Sequence, residues 1–247
     1  TYTITADVSD VAGNAATQSS TTFTYDKSAP SISSITPSWG SHLNATESYY
    51  DGTVTVATSG VEDAQTLTIT LNGYNYSGSI SSNSVTISVS ATDLQALSEG
   101  TNTITANVSD AAGNAASQSS TTFTYDKTSP SITSITPSWG SHLNATEDNS
   151  SGTVTVATSG IEDGQTVTVG LNGTNYTGSV SSNSVTVTIS ATDLQALNEG
   201  TNTITADVSD VAGNAATQSS TTFIYDKTAP SISSITPSWG SHLNATE

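Results

Sequence analysis

The residues that could do chemistry in this chain are oxygen donors, and they recur in a fixed order. Glu162 and Asp163 are adjacent, Asp210 and Asn214 frame a Val-Ala-Gly stretch, and Asp126 and Asp226 each open a Lys-Thr-x-Pro segment. One hundred residues earlier the same set reads Asp26, Glu62, Asp63, Asp110 and Asn114. Carboxylates brought together without basic partners repel one another unless a cation intervenes. A hard divalent ion answers that need. Ca2+ accepts about 6–8 oxygens from carboxylates, amides and backbone carbonyls, whereas Mg2+ prefers few protein ligands and keeps its water. Ca2+ is therefore the expected cofactor. Asp93, Glu99, Asp193, Glu199 and Asp207 are peripheral candidates, and Asn107 keeps an oxygen but not a charge at the Asp207 position.

Other chemistries are poorly supplied. Histidine occurs only as His42, His142 and His242, always in Gly-Ser-His-Leu and never beside a second general base. No serine lies in a Gly-x-Ser-x-Gly turn, so no enzyme is expected. Cysteine is absent, which excludes disulfides and thiolate metal sites. The net charge of −18, with 21 acids against three lysines, opposes binding to nucleic acid or anionic membranes. No run approaches the ~18 apolar residues of a membrane span, and no signal peptide opens these residues. Neither membrane contact nor a small-molecule substrate is expected. Any export signal is expected to lie elsewhere.

The elements that must position the acids are repeats. Ser-Ile-Thr-Pro-Ser-Trp-Gly begins at Ser34, Ser134 and Ser234, and residues 1–47 differ from 201–247 only at Tyr2/Asn202, Thr24/Ile224 and Ser28/Thr228. The expected organisation is two full units, 30–129 and 130–229, flanked by partial repeats at 1–29 (last two strands and linker) and 230–247 (first strand and following loop). Within the second unit, Val154/Val156, Val167/Val169/Leu171, Val185/Val187/Ile189, Ile204/Ala206/Val208 and Phe223/Tyr225 alternate with polar residues. Period-two patterning of this kind marks half-buried antiparallel strands. Seven are expected, at 131–137, 152–158, 166–171, 174–180, 184–190, 201–208 and 217–225, with a helical turn at 191–197. Seven short strands in about 100 residues point to tandem all-β immunoglobulin-like, seven-stranded antiparallel sandwiches, arranged as an elongated rod. The disulfide of antibody domains is missing, and Trp139 is read as a core plug.

Alternating strands sort the loops to two poles. The loop after the second strand (Glu162, Asp163) and the loop after the sixth (Asp210, Asn214) share a pole with the incoming linker and its Asp126. The loops after the first and fifth strands carry Glu147, Asp148, Asp193 and Glu199 to the other pole. Cations are thus expected where one repeat meets the next. One loop differs between units, Ser48-Tyr49-Tyr50-Asp51 against Asp148-Asn149-Ser150-Ser151, so any site there is not equivalent in both.

The order of Glu-Asp-Gly-Gln (162–165), Leu-Asn-Glu-Gly-Thr-Asn-Thr-Ile (197–204), Ser-Asp-Val-Ala-Gly-Asn (209–214) and Asp-Lys-Thr-Ala-Pro (226–230) resembles the bacterial Ig-like repeats of giant RTX adhesins. That family includes biofilm-associated proteins and the extender region of a marine ice-binding adhesin. The resemblance implies type I secretion to the cell surface, neighbouring repeats as the main partners, and calcium at domain junctions. Ala64 replaces the Gly164 equivalent, and the RTX nonapeptide is absent from these residues. An extender or spacer role is expected. The rival is an adhesive module that binds carbohydrate or protein, marked only by Tyr49-Tyr50. Near-interchangeable neighbours favour the spacer, since specificity resides in distinctive loops.

Overall fold

The computed structural model describes residues 1–242 and 245. They form two compact units, residues 1–128 with 212–214, and residues 129–211 with 215 onward.

In the first unit β1 (Tyr2–Ala6) and β2 (Ser19–Phe23) form an antiparallel pair, with Ile4 opposite Thr21. A sandwich follows: β3 (Ser31–Pro37), β4 (His42–Asn44), β5 (Gly52–Ser59), β6 (Thr66–Leu71), β7 (Tyr74–Ser79), β8 (Ser84–Val89), β9 (Gly100–Asn107) and β10 (Ser119–Asp126). One sheet runs β3-β5-β8 and the other β4-β10-β9-β6-β7. The core-facing residues are those the alternation selects: Val54, Val56, Leu67, Ile69, Leu71, Ile104 and Phe123 are all buried between the sheets. Each such side chain contributes about 1.5–3 kcal/mol on transfer from water.

The short β4 completes the architecture. It pairs with β10 in parallel, Leu43 opposite Tyr125, so the first edge of the chain belongs to both sheets in turn. The crossing is made at Pro37–Gly40, where Trp39 drops into the core and stacks edge-on against Phe123, with centroids 5.2 Å apart. Gly52 makes room for it: a Cβ there would lie 2.5 Å from the Trp39 ring. The β6–β7 hairpin turns on Asn72 and Gly73, both at positive φ, as a two-residue turn that follows the strand twist requires. Helix α1 (Ala91–Gln95) is a single capped turn joining β8 to β9.

The second unit repeats this plan with β11 (Ser131–Pro137), β12 (His142–Asn144), β13 (Gly152–Ser159), β14 (Thr166–Leu171), β15 (Thr174–Ser179), β16 (Ser184–Ile189), α2 (Ala191–Gln195), β17 (Gly200–Asp207) and β18 (Ser219–Asp226). Its sheets are β11-β13-β16 and β12-β18-β17-β14-β15. All seven expected strands are present. Val154, Val156, Val169, Leu171, Val187, Ile204, Val208 and Phe223 face inward, and Trp139 packs on Phe223. The sequence reading lacked β12 and its parallel pairing, because three residues after a turn carry no period. Residues 231–237 repeat the β3 sequence and form no strand. Among the described residues, no helix is long and apolar enough to cross a membrane.

Candidate metal centre

The turn Asp110–Asn114 lies between β9 and β10. Asp110 accepts from the Asn114 backbone N–H at 2.7 Å through Oδ1 and from Asn114 Nδ2 at 2.8 Å through Oδ2. The Gly113 N–H closes the loop onto the Asp110 carbonyl, and Gly113 sits at φ +92°, where a Cβ is disfavoured. The Asn114 amide holds the Asp110 carboxyl below its ordinary range against the opposing effect of burial, helped by the N–H groups of Asn114, Ala112 and Gly113. The same turn forms in the exposed β1–β2 hairpin, where Asp10 accepts from Asn14 N and Nδ2, and Asp10 is likewise lowered, chiefly by Asn14. The motif therefore makes the same local bonds in both places.

Two further elements meet this turn. Glu62, in the β5–β6 loop, accepts from the Ala111 N–H at 2.9 Å through Oε2. Asn114 Nδ2 also reaches the Asp26 carbonyl of the incoming linker at 3.4 Å. Asp26 folds that linker by accepting from the Ser28 N–H. The sequence expectation that linker and two loops share a pole is met by these contacts. In the second unit Glu162 accepts from the Val211 N–H at 3.1 Å, beside Asp210. Residues 212–214 group with the first unit, where Asn214 repeats the part played by Asn114. Its Nδ2 donates to the Asp126 carbonyl at 3.0 Å, and its Oδ1 accepts from the Ala45 N–H.

Other candidates do local work. Asp63 and Asp163 accept from the N–H groups of Ser82 and Ser182, bracing the β7–β8 and β15–β16 turns. Asp93 and Asp193 cap their helices in reciprocal hydrogen bonds with Ser90 and Ser190. Glu99 and Glu199 hold the linker starts through Lys127 N, Thr128 Oγ1, Lys227 N and Thr228 Oγ1. Asp126 and Asp226 accept from the N–H groups of Thr128 and Thr228, and Asp207 takes Gln218 Nε2 across its strand pair. Each of these pairings engages a carboxylate oxygen within its own unit. Among the described residues, no three His, Cys, Asp or Glu side chains form a group that could hold a metal ion. What meets at the turn is a set of N–H donors on carboxylate and carbonyl oxygens, with Asn114 presenting its Nδ2 to both Asp110 and Asp26.

The sequence reading placed Asp148 among the loop acids at a pole. The structure buries it, 6% exposed, with Tyr225 Oη donating to Oδ2 at 2.5 Å. Tyr225 is pushed up to about 12, first by that hydrogen bond and then by burial. No periodicity signals this pair; the only trace is that Ser48 stands at the matching place in the first repeat.

The profile of the bacterial Ig-like domain (group 3) family matches residues 86–148, from β8 through the linker into the first strands of the next sandwich. That family is non-enzymatic. Among solved structures, the chain is similar to the Ca2+-stabilized adhesin with which an Antarctic bacterium binds ice. That likeness has 25% identity and a TM-score of 0.47, covering 92% of this chain and 57% of that one. A second is a 1.5-MDa bacterial ice-binding adhesin, at 24% identity and TM-score 0.48, covering 92% of this chain and 74% of that one. The fibronectin(III)-like modules of Clostridium thermocellum CbhA share the fold, at 14% identity and TM-score 0.50, covering 78% of this chain and 95% of that one. The chain spans little more than half the length of the first of these. No curated protein sequence matches it.

Proposed function

We propose that this chain is an extender segment of a bacterial surface adhesin, working outside the cell as a spacer that carries a distal binding domain. Ca2+ at the junctions between repeats stiffens it. The observation that carries this reading is the meeting of linker, β5–β6 loop and β9–β10 loop through Asp26, Glu62, Ala111 and Asn114. Every side chain there that could ligate is an oxygen donor. Lys27, the nearest base in sequence, lies over the Tyr25 ring instead. The proposed ligands are Asp26, Glu62, Asp110 and Asn114 at one junction and Asp126, Glu162, Asp210 and Asn214 at the next, with Asp63 and Asp163 at the rim and Asp226 opening a third. The near-identity of the repeats supports a spacer over a recognition module.

An ion shared by a Pro-containing linker and two loops makes bending break several charge-assisted contacts at once. Melting and small-angle scattering of the whole chain, with Ca2+ and then with chelator, test this. Ca2+ should raise the melting point by an amount that grows as RT ln(1 + [L]/Kd), about 2.7 kcal/mol at a hundredfold excess. The maximum dimension should shorten when Ca2+ is removed. An unchanged melting point together with an unchanged dimension would leave the acids as surface charge and remove the mechanism.

A further inference from the structure

Beside Trp39 the first unit holds a cleft of about 190 Å3. Trp39, Leu43 and Leu94 form its apolar floor, and Glu47, Tyr50 and Asp51 line it above. Tyr50 is 69% exposed and presents its ring to solvent. Both carboxylates are already oriented: Glu47 Oε2 accepts from the Asn44 N–H at 3.1 Å and Asp51 Oδ1 from the Ala91 N–H at 2.8 Å. No lysine lines the cleft. The matching cleft of the second unit keeps Trp139, Leu143, Glu147 and Leu194 but has Ser150 and Ser151. The floor thus belongs to the sandwich, while the aromatic ring and the second acid are particular to the first repeat. The difference belongs to a loop that changes throughout, Ser48-Tyr49-Tyr50-Asp51 against Asp148-Asn149-Ser150-Ser151.

We propose that this cleft binds the guanidinium group of an arginine presented by a basic segment of a partner protein. Its two carboxylates carry charge that no neighbouring cation in the lining offsets, within a chain of net charge −18 that draws cations toward it. A guanidinium is planar: it stacks on a tyrosine face and bonds carboxylates in pairs, which an ammonium cannot do as well. The volume is below the roughly 300–1,000 Å3 of sites for larger ligands, and suits one side chain. The chain has no arginine, and its three lysines already lie over Tyr25, Tyr125 and Tyr225, at 5.0, 5.9 and 5.5 Å. Cation-on-tyrosine contact is chemistry this fold uses. None of the three lysines lines this cleft; Lys127 borders the neighbouring depression with Ser48 and Tyr49.

The test titrates the whole chain with the peptide acetyl-Gly-Arg-Gly-amide, its citrulline analogue, and methyl glucoside, following tyrosine ring signals by NMR. Arginine should bind with shifts at Tyr50, citrulline and the sugar should not, and affinity should fall as salt is raised. Tyr50→Ser with Asp51→Ser installs the residues with which the second repeat already folds. It should weaken binding about tenfold, as expected for losing a stacked ring and a charged partner. Ser150→Tyr with Ser151→Asp should create a second site. Absence of arginine binding, equal binding of citrulline or sugar, or an affinity unmoved by the first exchange would overturn the proposal. Running each titration with Ca2+ and with chelator keeps this result separate from the junction ions, whose test is melting and shape.

Discussion

Replacing Tyr225 by Phe should cost the second repeat far more than Tyr125→Phe costs the first. Both hydroxyls are buried at the same place in the fold, but their partners differ. Tyr225 donates to the Asp148 carboxylate at 2.5 Å, whereas Tyr125 donates to the Ser48 hydroxyl at 3.3 Å. A hydrogen bond to a charged group is worth about 1.5–3 kcal/mol, and its loss here also leaves a buried carboxylate short of a donor. The long hydroxyl pair is worth at most about 0.5–1 kcal/mol. For a repeat of this size each kcal/mol lowers the midpoint by about 4–8 °C. Calorimetry of the full chain should therefore show one transition falling steeply in Tyr225→Phe and both nearly unmoved in Tyr125→Phe. In an Asp148→Ser background the cost of Tyr225→Phe should drop to that of the first repeat. The alkaline limb supplies a second readout. Because folding raises Tyr225 from 10.0 to about 12, its contribution is complete below pH ~10 and is lost as the pH climbs toward ~12. Tyr225→Phe should shrink that loss without abolishing it. Tyr76 and Tyr176 are also raised to about 12, by burial first and then by hydrogen bonds to Asp93 and Asp193. Equal, small losses in the two repeats would refute the assignment of Asp148 as the charged partner.

Gly152→Ala places a Cβ 2.5 Å from the Trp139 ring and should destabilise the second repeat by about 1–3 kcal/mol, measured by denaturant unfolding and relieved in part by Trp139→Leu. Ser190→Ala removes the cap that accepts from Asp193 N and should cost about 0.5–2 kcal/mol in the same assay. Asp110 is held below its ordinary pKa, so its share of stability is present above that value and lost as pH falls through the folded one. Asp110→Asn should flatten the acid limb of a pH–stability curve and, on the proposed function, weaken the response of the melting point to Ca2+.

Much of this protein is legible without coordinates. Threonine and valine alternation marks seven of eight strands, because a pleated strand sends successive side chains to opposite faces. The Asp-x-x-Gly-Asn turn is likewise local: its bonds join residues four apart, and it closes in the exposed Asp10–Asn14 hairpin as it does in the sandwich. What the sequence does not determine is anything that needs a distant partner. The three residues of β4 are a strand because β10, far along the chain, makes their hydrogen bonds. The acids divide along the same line. Nothing local separates Glu62, which joins the β9–β10 turn, from Asp63 beside it, which turns away to Ser82. Which carboxylate braces a turn, which is buried against a tyrosine, and which meets the β9–β10 turn is decided by loops brought together from 19 to 77 residues apart. Charge and period in a sequence carry no record of that distance.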